Sequence, residues 1–592
     1  MNRLTQPRRT LSAALTATAF AAALLMLGAA TPAAWASTAP AATATVLTVG
    51  AGKTQLISET TQLLGLKLGK GATLTTPEGK SLTLTVNGIG LPIAAGTYTG
   101  NVVLTVTDDI VVQFTSAGPG TAPELLTHLF RTGVYIDNGS YVPGKSVAAV
   151  VQGGSVANTA ANNVVIQSRA PNFNGIIVTG DSTYAINRPT ISLVGNGGND
   201  FVGFGAAIKS DGNAQLTVRN ANVFTKGAIR PAIVGAGNST LTVKDSTIET
   251  RGGTLPAGYS FTVATGKMME VPWVLGLAGN NRATNLVGNA TANYVNSRIK
   301  AQAWGALSTD DTTKVRLNVK NSWVEVVESG YGTYSIGDCI TTFSGSRLDV
   351  ADMALIMANG PASGTFTDGT VVNSGRFGVM MHSNSGGTLR VDKQSVFNTQ
   401  AAVFQMKSSS PNIVVDGAKL NPANGILLQA VVNDDPFGIS LGFPSSASNV
   451  NASFANTTLK GDIINGNSLA GSVSAAFSNA TLTGAISTAT TTHALGPNGE
   501  TVDMDHPELY HLIGEFSHSF APLASSFGMS VSLDASSRWV VSKTSYLTSL
   551  TLASGAVVRA PAGKRVTMTV DGVSTPIVAG QSYSGAITLT VS

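Results

Sequence analysis

Apolar residues along the middle of this chain alternate, and the alternation itself recurs. In Leu216-Thr217-Val218-Arg219-Asn220-Ala221-Asn222-Val223 the apolar positions fall two apart, break at Asn220 and resume. The phrase returns as Leu241-Thr242-Val243-Lys244-Asp245-Ser246-Thr247-Ile248, 25 residues on (241 − 216), and the preceding Ala207-Ile208 returns as Ala232-Ile233. It recurs in Asn296-Ser297-Arg298-Ile299 and in Leu317-Asn318-Val319-Lys320-Asn321-Ser322-Trp323-Val324. Later, Phe454-Ala455-Asn456-Thr457-Thr458-Leu459 is matched by Phe477-Ser478-Asn479-Ala480-Thr481-Leu482 at a spacing of 23 (477 − 454). A period of two marks strands. The interrupting Asn or Asp marks a tight corner, because these side chains tolerate positive φ and bond their own backbone.

A coil of this length accommodates three short strands and three turns, but no strand–helix pair with its loops. One coil cannot bury its inward face, so neighbours must stack and pair their strands in parallel. The segment from Tyr141 to Ile486 leaves room for about twelve to fourteen coils at ~4.8 Å each. On these repeats the chain resembles the right-handed parallel β-helix superfamily of pectate-lyase-like enzymes, polygalacturonases and autotransporter passenger domains. The resemblance implies an all-β solenoid; the superfamily hosts both enzymes and adhesins, so it implies no single activity. With Ile208, Leu216, Val218, Ile233, Leu241, Val243, Leu317 and Val319 expected in inward stacks, the β-helix is expected over 108–490.

A second repeat lies at the ends. Gly71-Ala72, Pro77-Glu78-Gly79-Lys80, Thr85-Val86-Asn87-Gly88 and Pro92-Ile93 match Gly555-Ala556, Pro561-Ala562-Gly563-Lys564, Thr569-Val570-Asp571-Gly572 and Pro576-Ile577, at an offset of 484 (555 − 71). A small β-rich module is therefore expected near each end, over 62–107 and within 531–592. Their placement suits covers for the open parallel edges of a solenoid. Ser537-Arg538-Trp539-Val540-Val541 is also similar to the last coils of passenger domains.

Composition adds the compartment. Arg3, Arg8 and Arg9 precede the apolar Leu11–Ala30 and the small-x-small Ala34-Trp35-Ala36, so 1–36 reads as a secretory signal peptide, with Sec as the default route. A linker is expected over 37–61. The 65 glycines and 11% charged residues describe strands and turns rather than helices, and a net charge of +4 without a basic run gives no reason to expect nucleic acid. The single cysteine, Cys339, reads as a buried structural thiol.

Chemistry in a solenoid belongs on the stretches that break the period: Arg251–Ala292, Asn433–Asn449 and Ser487–Met529. The resemblance supplies a test, since polygalacturonases carry N-x-D, D-D, G-H-G and R-I-K in that order. Here Arg298-Ile299-Lys300 precedes Asp310-Asp311, and His382 lacks flanking glycines. A His- and acid-rich insertion over 491–530 holds Asp503, Asp505, His506, Glu508, His511, Glu515 and His518. Were it helical from Glu508 to His518, Glu508, His511, Glu515 and His518 would share a face. No ligand motif is present, so the insertion reads as polar surface, with no metal and no cofactor expected.

The candidate ligand-binding residues are Arg282, Trp304, Asp310, Asp311, Tyr331 and Asp338, expected to border one groove in which rings stack on a sugar and carboxylates orient its hydroxyls. Trp323 occupies the place of Arg298 one coil earlier and is expected at a rim. The function expected is that of an exported, adhesin-like surface protein with a polysaccharide or cell-surface ligand. The alternative is a polysaccharide lyase or glycoside hydrolase acting from the loop-bearing face.

Overall fold

The computed structural model describes residues 45–592 apart from 119, 273–274, 311–313, 384, 437 and 439–444. The signal segment 1–36, Trp273 and Asp311 lie outside the described residues. What is described is a parallel β-helix whose coils each contribute a strand to three ladders. The first face stacks Gln215–Arg219, Thr240–Lys244, Thr291–Val295 and Arg316–Lys320 in parallel. The second stacks Asn222–Lys226 on Thr247–Arg251. The third stacks Ile208–Ser210, Ile233–Gly235 and Thr284–Leu286.

The register is the one the repeat implies. Leu216 pairs with Leu241, Val218 with Val243, and Ile208 with Ile233. All eight expected stack residues are buried in one continuous core. Burying each such side chain contributes about 1.5–3 kcal/mol, which a single coil, open above and below, could not realise. The register step from Val243 to Tyr294 spans 51 residues because the first period-breaking stretch leaves and rejoins the rod within that coil.

The corners follow from the polar break in the repeat. Asn163, Asn220, Asp245, Asn296, Asn321, Asn456 and Asn479 all have left-handed φ between 47° and 54°. One residue further on, hydroxyls climb the rod: the Ser246, Ser297, Ser322 and Ser346 Oγ atoms accept the backbone N–H of Ala221, Ser246, Ser297 and Ser322 at 3.0–3.2 Å. Each corner amide is thus satisfied by the next coil, which ties coil spacing to the Ser of the repeat.

The terminal stretches fold alike. Thr61–Leu68, Lys80–Val86, Ile89–Leu91 and Gly96–Asp108 have counterparts in Ser545–Leu552, Val566–Val570, Val573–Thr575 and Ser582–Val591. Thr61 pairs with Leu104 as Ser545 pairs with Leu589, and both pairings carry a bulge at the same place. The Asn87 carboxamide oxygen accepts the Asn101 N–H at 2.9 Å, as the Asp571 carboxylate accepts that of Ala586 at 2.8 Å. The likeness extends further towards the N-terminus than the sequence motif: Val46–Val49 and Thr54–Leu56 are strands rather than linker, and they correspond to positions 530–533 and 538–540.

Candidate functional site

The period-breaking stretches gather over the third face. Its strands Met353–Ala358, Val379–His382, Phe404–Lys407 and Ile426–Val431 are buried at every position, where a strand open to water on one side would alternate. Their outward residues Met353, Ile356 and Met380 form a second apolar cluster with Val271, Leu275 and Leu277 from the first inserted stretch and Phe520 from the third. Arg376 ties these covers together, donating to the Gly276 carbonyl at 2.9 Å, the Ile513 carbonyl at 2.5 Å and the Glu515 carboxylate at 3.0 Å. The hairpin Ile110–Gly118 with Thr121–Asp137 joins the cover, its Ala117 carbonyl accepting the Thr265 N–H at 2.8 Å.

Four of the expected site residues meet beneath this cover. Arg282 donates to the Asp200 carboxylate at 2.6 Å and pairs with Asp310. Its guanidinium lies 5.2 Å from the centre of the Trp304 ring and 5.4 Å from that of Phe201. The Tyr331 hydroxyl bonds Ser308 Oγ at 2.8 Å, and the ring passes so close to Gly305 that a Cβ there would sit 2.1 Å from it. Trp304 turns the long strand Arg298–Thr309 from the second face to the third with φ of 68°, a conformation a bulky residue holds only when its surroundings enforce it.

This cluster is interior, not the wall of a groove. Trp304 is 3% exposed and Tyr331 1%, so neither ring face is open to a sugar. Burial alone would disfavour the Arg282 charge, but Asp200 and Asp310 outweigh it and hold its pKa well above the ordinary value. Burial pushes the Tyr331 phenol up to about 12. The Asp310 side chain is 11% exposed in the ion pair, whereas Asp338 is exposed at a bend beside Cys339. The Cys339 thiol is buried, with burial raising its pKa to about 11, and it donates to the Ile336 carbonyl at 2.8 Å. Trp323 stands at the rim of the second face, its ring 4.3 Å from the Arg298 guanidinium and its Nε1 donating to Asp349 at 2.7 Å.

A second buried ion cluster escaped the sequence reading. Asp434, from the second inserted stretch, pairs with Lys407, accepts the Gly514 N–H at 2.6 Å and bonds His493 Nε2 at 2.8 Å. Burial opposes the Asp434 charge, but Lys407, His493 and the Gly514 amide depress its pKa strongly. Burial likewise opposes the His493 charge, and the bond to Asp434 overcomes it and raises the pKa. His382, buried beside Lys407, is pushed down to about 3, first by burial and then by that lysine. The only sequence signal was location: Asp434 and His493 both fall in stretches that break the period.

The histidine-rich insertion is not one helix. Pro507–Leu512 is a short 3-10 turn and Phe516–Phe520 a strand in a hairpin with Ile486–His493, so Glu508, His511, Glu515 and His518 share no helical face. His506 bonds Glu508 at 3.0 Å, and Glu515 is taken by Arg376. Among the described residues no group of three or more His, Cys, Asp or Glu is arranged to hold a metal ion, and no helix is long and apolar enough to cross a membrane.

With the third face covered, the first and second remain open to solvent; the second carries paired charges, and the first is uncharged over most of its length. Its outward row runs in register through Thr217, Thr242, Asn293, Asn318, Thr342 and Thr365, then through Arg390, Val414, Ser453, Ala476, Ser532 and Thr551. The amides link along the rod, Asn318 donating to Asn293 at 2.9 Å. Towards the C-terminal end the face is shallowly concave, lined by Asn412, Asn451, Ser453, Ser474, Ser532 and Ser549 among others. No protein-family model matches the chain, and no curated protein does.

Proposed function

We propose that this is an exported, adhesin-like β-helix protein that binds a polysaccharide or a comparable polyhydroxylated surface through its first face. The observation that carries this reading is the unbroken polar row Asn412, Asn451, Ser474, Ser530 and Ser549, which runs in register through the shallow concavity of that face. Hydroxyls and amides repeat there at the inter-strand spacing of about 4.8 Å, so a polymer with repeating hydroxyls can be bonded several times over. Short side chains lose little rotamer entropy when ordered, and successive weak contacts along one chain add as avidity.

The lyase or hydrolase reading has less support. Glycosidases hold two carboxylates about 5–10 Å apart around the scissile bond. Asp200 and Asp310 flank a common guanidinium, but both are spent on Arg282 and lie under the cover.

The test is co-sedimentation with a panel of acidic and neutral polysaccharides, together with assay of released product. Binding without product, lost in a Ser453→Arg/Ser532→Arg double variant and retained in Trp323→Ala, is the expected result. Binding that survives the double variant would place recognition elsewhere, and released product would favour the enzyme.

A further inference from the structure

The duplicated modules show what each of their edges is built to hold. In the C-terminal copy, Gly528–Leu533 pairs in parallel with Ser472–Ser478, and Arg538–Val541 with Thr481–Gly484, so the front of that module continues the last coil of the rod. In the N-terminal copy the corresponding strands, Val46–Val49 and Thr54–Leu56, pair only with the strands behind them, Thr61–Leu68 and Thr73–Thr75. Among the described residues nothing pairs with their front edge. Val46 and Leu56 are 53% and 55% exposed there, whereas Val540, which matches Leu56, is 7% exposed.

The back edges show the reverse. In the N-terminal copy, Ile89–Leu91 pairs in parallel with the rod strand Val165–Ser168, and the Gly90 carbonyl accepts the Arg169 N–H at 2.7 Å. In the C-terminal copy the matching strand, Val573–Thr575, pairs only with Val566–Val570; Ser574 stands where Gly90 does, and Val573 is 67% exposed. Among the described residues one front edge and one back edge are therefore left unpaired, and both kinds of edge are paired in the other copy.

We propose that these edges pair with each other between molecules, Val573–Thr575 of one chain against the first coil, Val46–Leu56, of a second copy. The order supports it. Within the chain a module's back edge is followed by a parallel coil, and Val46–Leu56 is itself a parallel coil, matched by one that stacks as an ordinary turn of the rod. The contact is heterologous and uses different surfaces on the two partners, so it leaves both ends of a dimer open and propagates as a filament. The pairing is short, three residues on one side, with Pro576 directly after Thr575 and Lys53 inside the first coil, features that limit how far an exposed edge can pair. Association is accordingly weak and concentration-dependent, as suits an array assembled on a surface.

The experiment is sedimentation velocity of the full chain across a concentration series, with Thr48→Pro blocking the front edge and Ser574→Pro the back edge. Thr48→Lys and Ser574→Lys serve as second variants, and circular dichroism checks that each folds. The expected result is association of the parent into a ladder of species, each variant alone monomeric, and a one-to-one dimer when the two variants are mixed, since each supplies the edge the other lacks. A parent monomeric throughout, a Ser574 variant that still dimerises, or a mixture that fails to complement would overturn the proposal.

Discussion

At the scale of single residues, the described interior depends on charges that are buried only because they are matched. Arg282 lies between Asp200 and Asp310 under an inserted stretch, with aromatic rings on its faces. Removing one member of such a set leaves its partners charged and dry, a loss of about 3–5 kcal/mol. Arg282→Leu is therefore expected to lower the denaturant midpoint by that equivalent without changing binding to polysaccharide, because the first face is untouched. Two histidines, the half-buried His493 and the buried His382, act in opposite directions. His493, with its pKa raised above 6.5, contributes stability that is full below the unfolded value and is lost as pH rises through the folded one. His382, held neutral down to about 3, costs stability as pH falls below 6.5, because only the unfolded chain then takes the proton. In His493→Gln the second contribution stands without the first. Its chemical-denaturation stability should drop more steeply than the parent's between pH 7.5 and 5, and parallel curves would contradict the assignment.

At the scale of elements, the repeat made the coils legible and left the cover illegible. Val218 and Val243 stack because each coil contacts the next, so a local period fixes their neighbourhood. The burial of Trp304 is not local: it depends on Arg282 and on Val271, Leu275 and Leu277 of the first inserted stretch, and its left-handed φ leaves no mark in the pattern. Asp434 and His493 likewise stand 59 residues apart and are joined only by folding. The three irregular stretches break the period, and the aromatic and acidic residues Trp304, Tyr331 and Asp310 near them pack beneath the cover. Arg376 gives a direct handle on that interface. Arg376→Ala removes bonds to Gly276, Ile513 and Glu515 at once. Limited proteolysis should then cut within 494–515 at least several-fold faster while the coils stay resistant; unchanged cleavage would mean that apolar packing alone holds the cover.

At the scale of the whole described unit, nearest-neighbour stacking governs stability, with a module of the same design on either side of the coils. Val243 contacts coils on both sides through its pairings with Val218 and Tyr294. Val243→Asp places an unpaired charge in a core that has no partner for it, and hydrogen exchange should show lost protection in several adjacent coils rather than one. The same stacking produces the open first face, on which the functional account rests. Its most direct test uses thiol labelling, because the native Cys339 is buried and its thiol is held protonated by a pKa raised to about 11. Single cysteines at Ser453 and Ser532 on the first face, and at Asn398 on the second, are labelled with and without a saturating polysaccharide identified by co-sedimentation. The account predicts protection at positions 453 and 532 and none at 398. Protection at 398 with free labelling at 453 and 532 would contradict it.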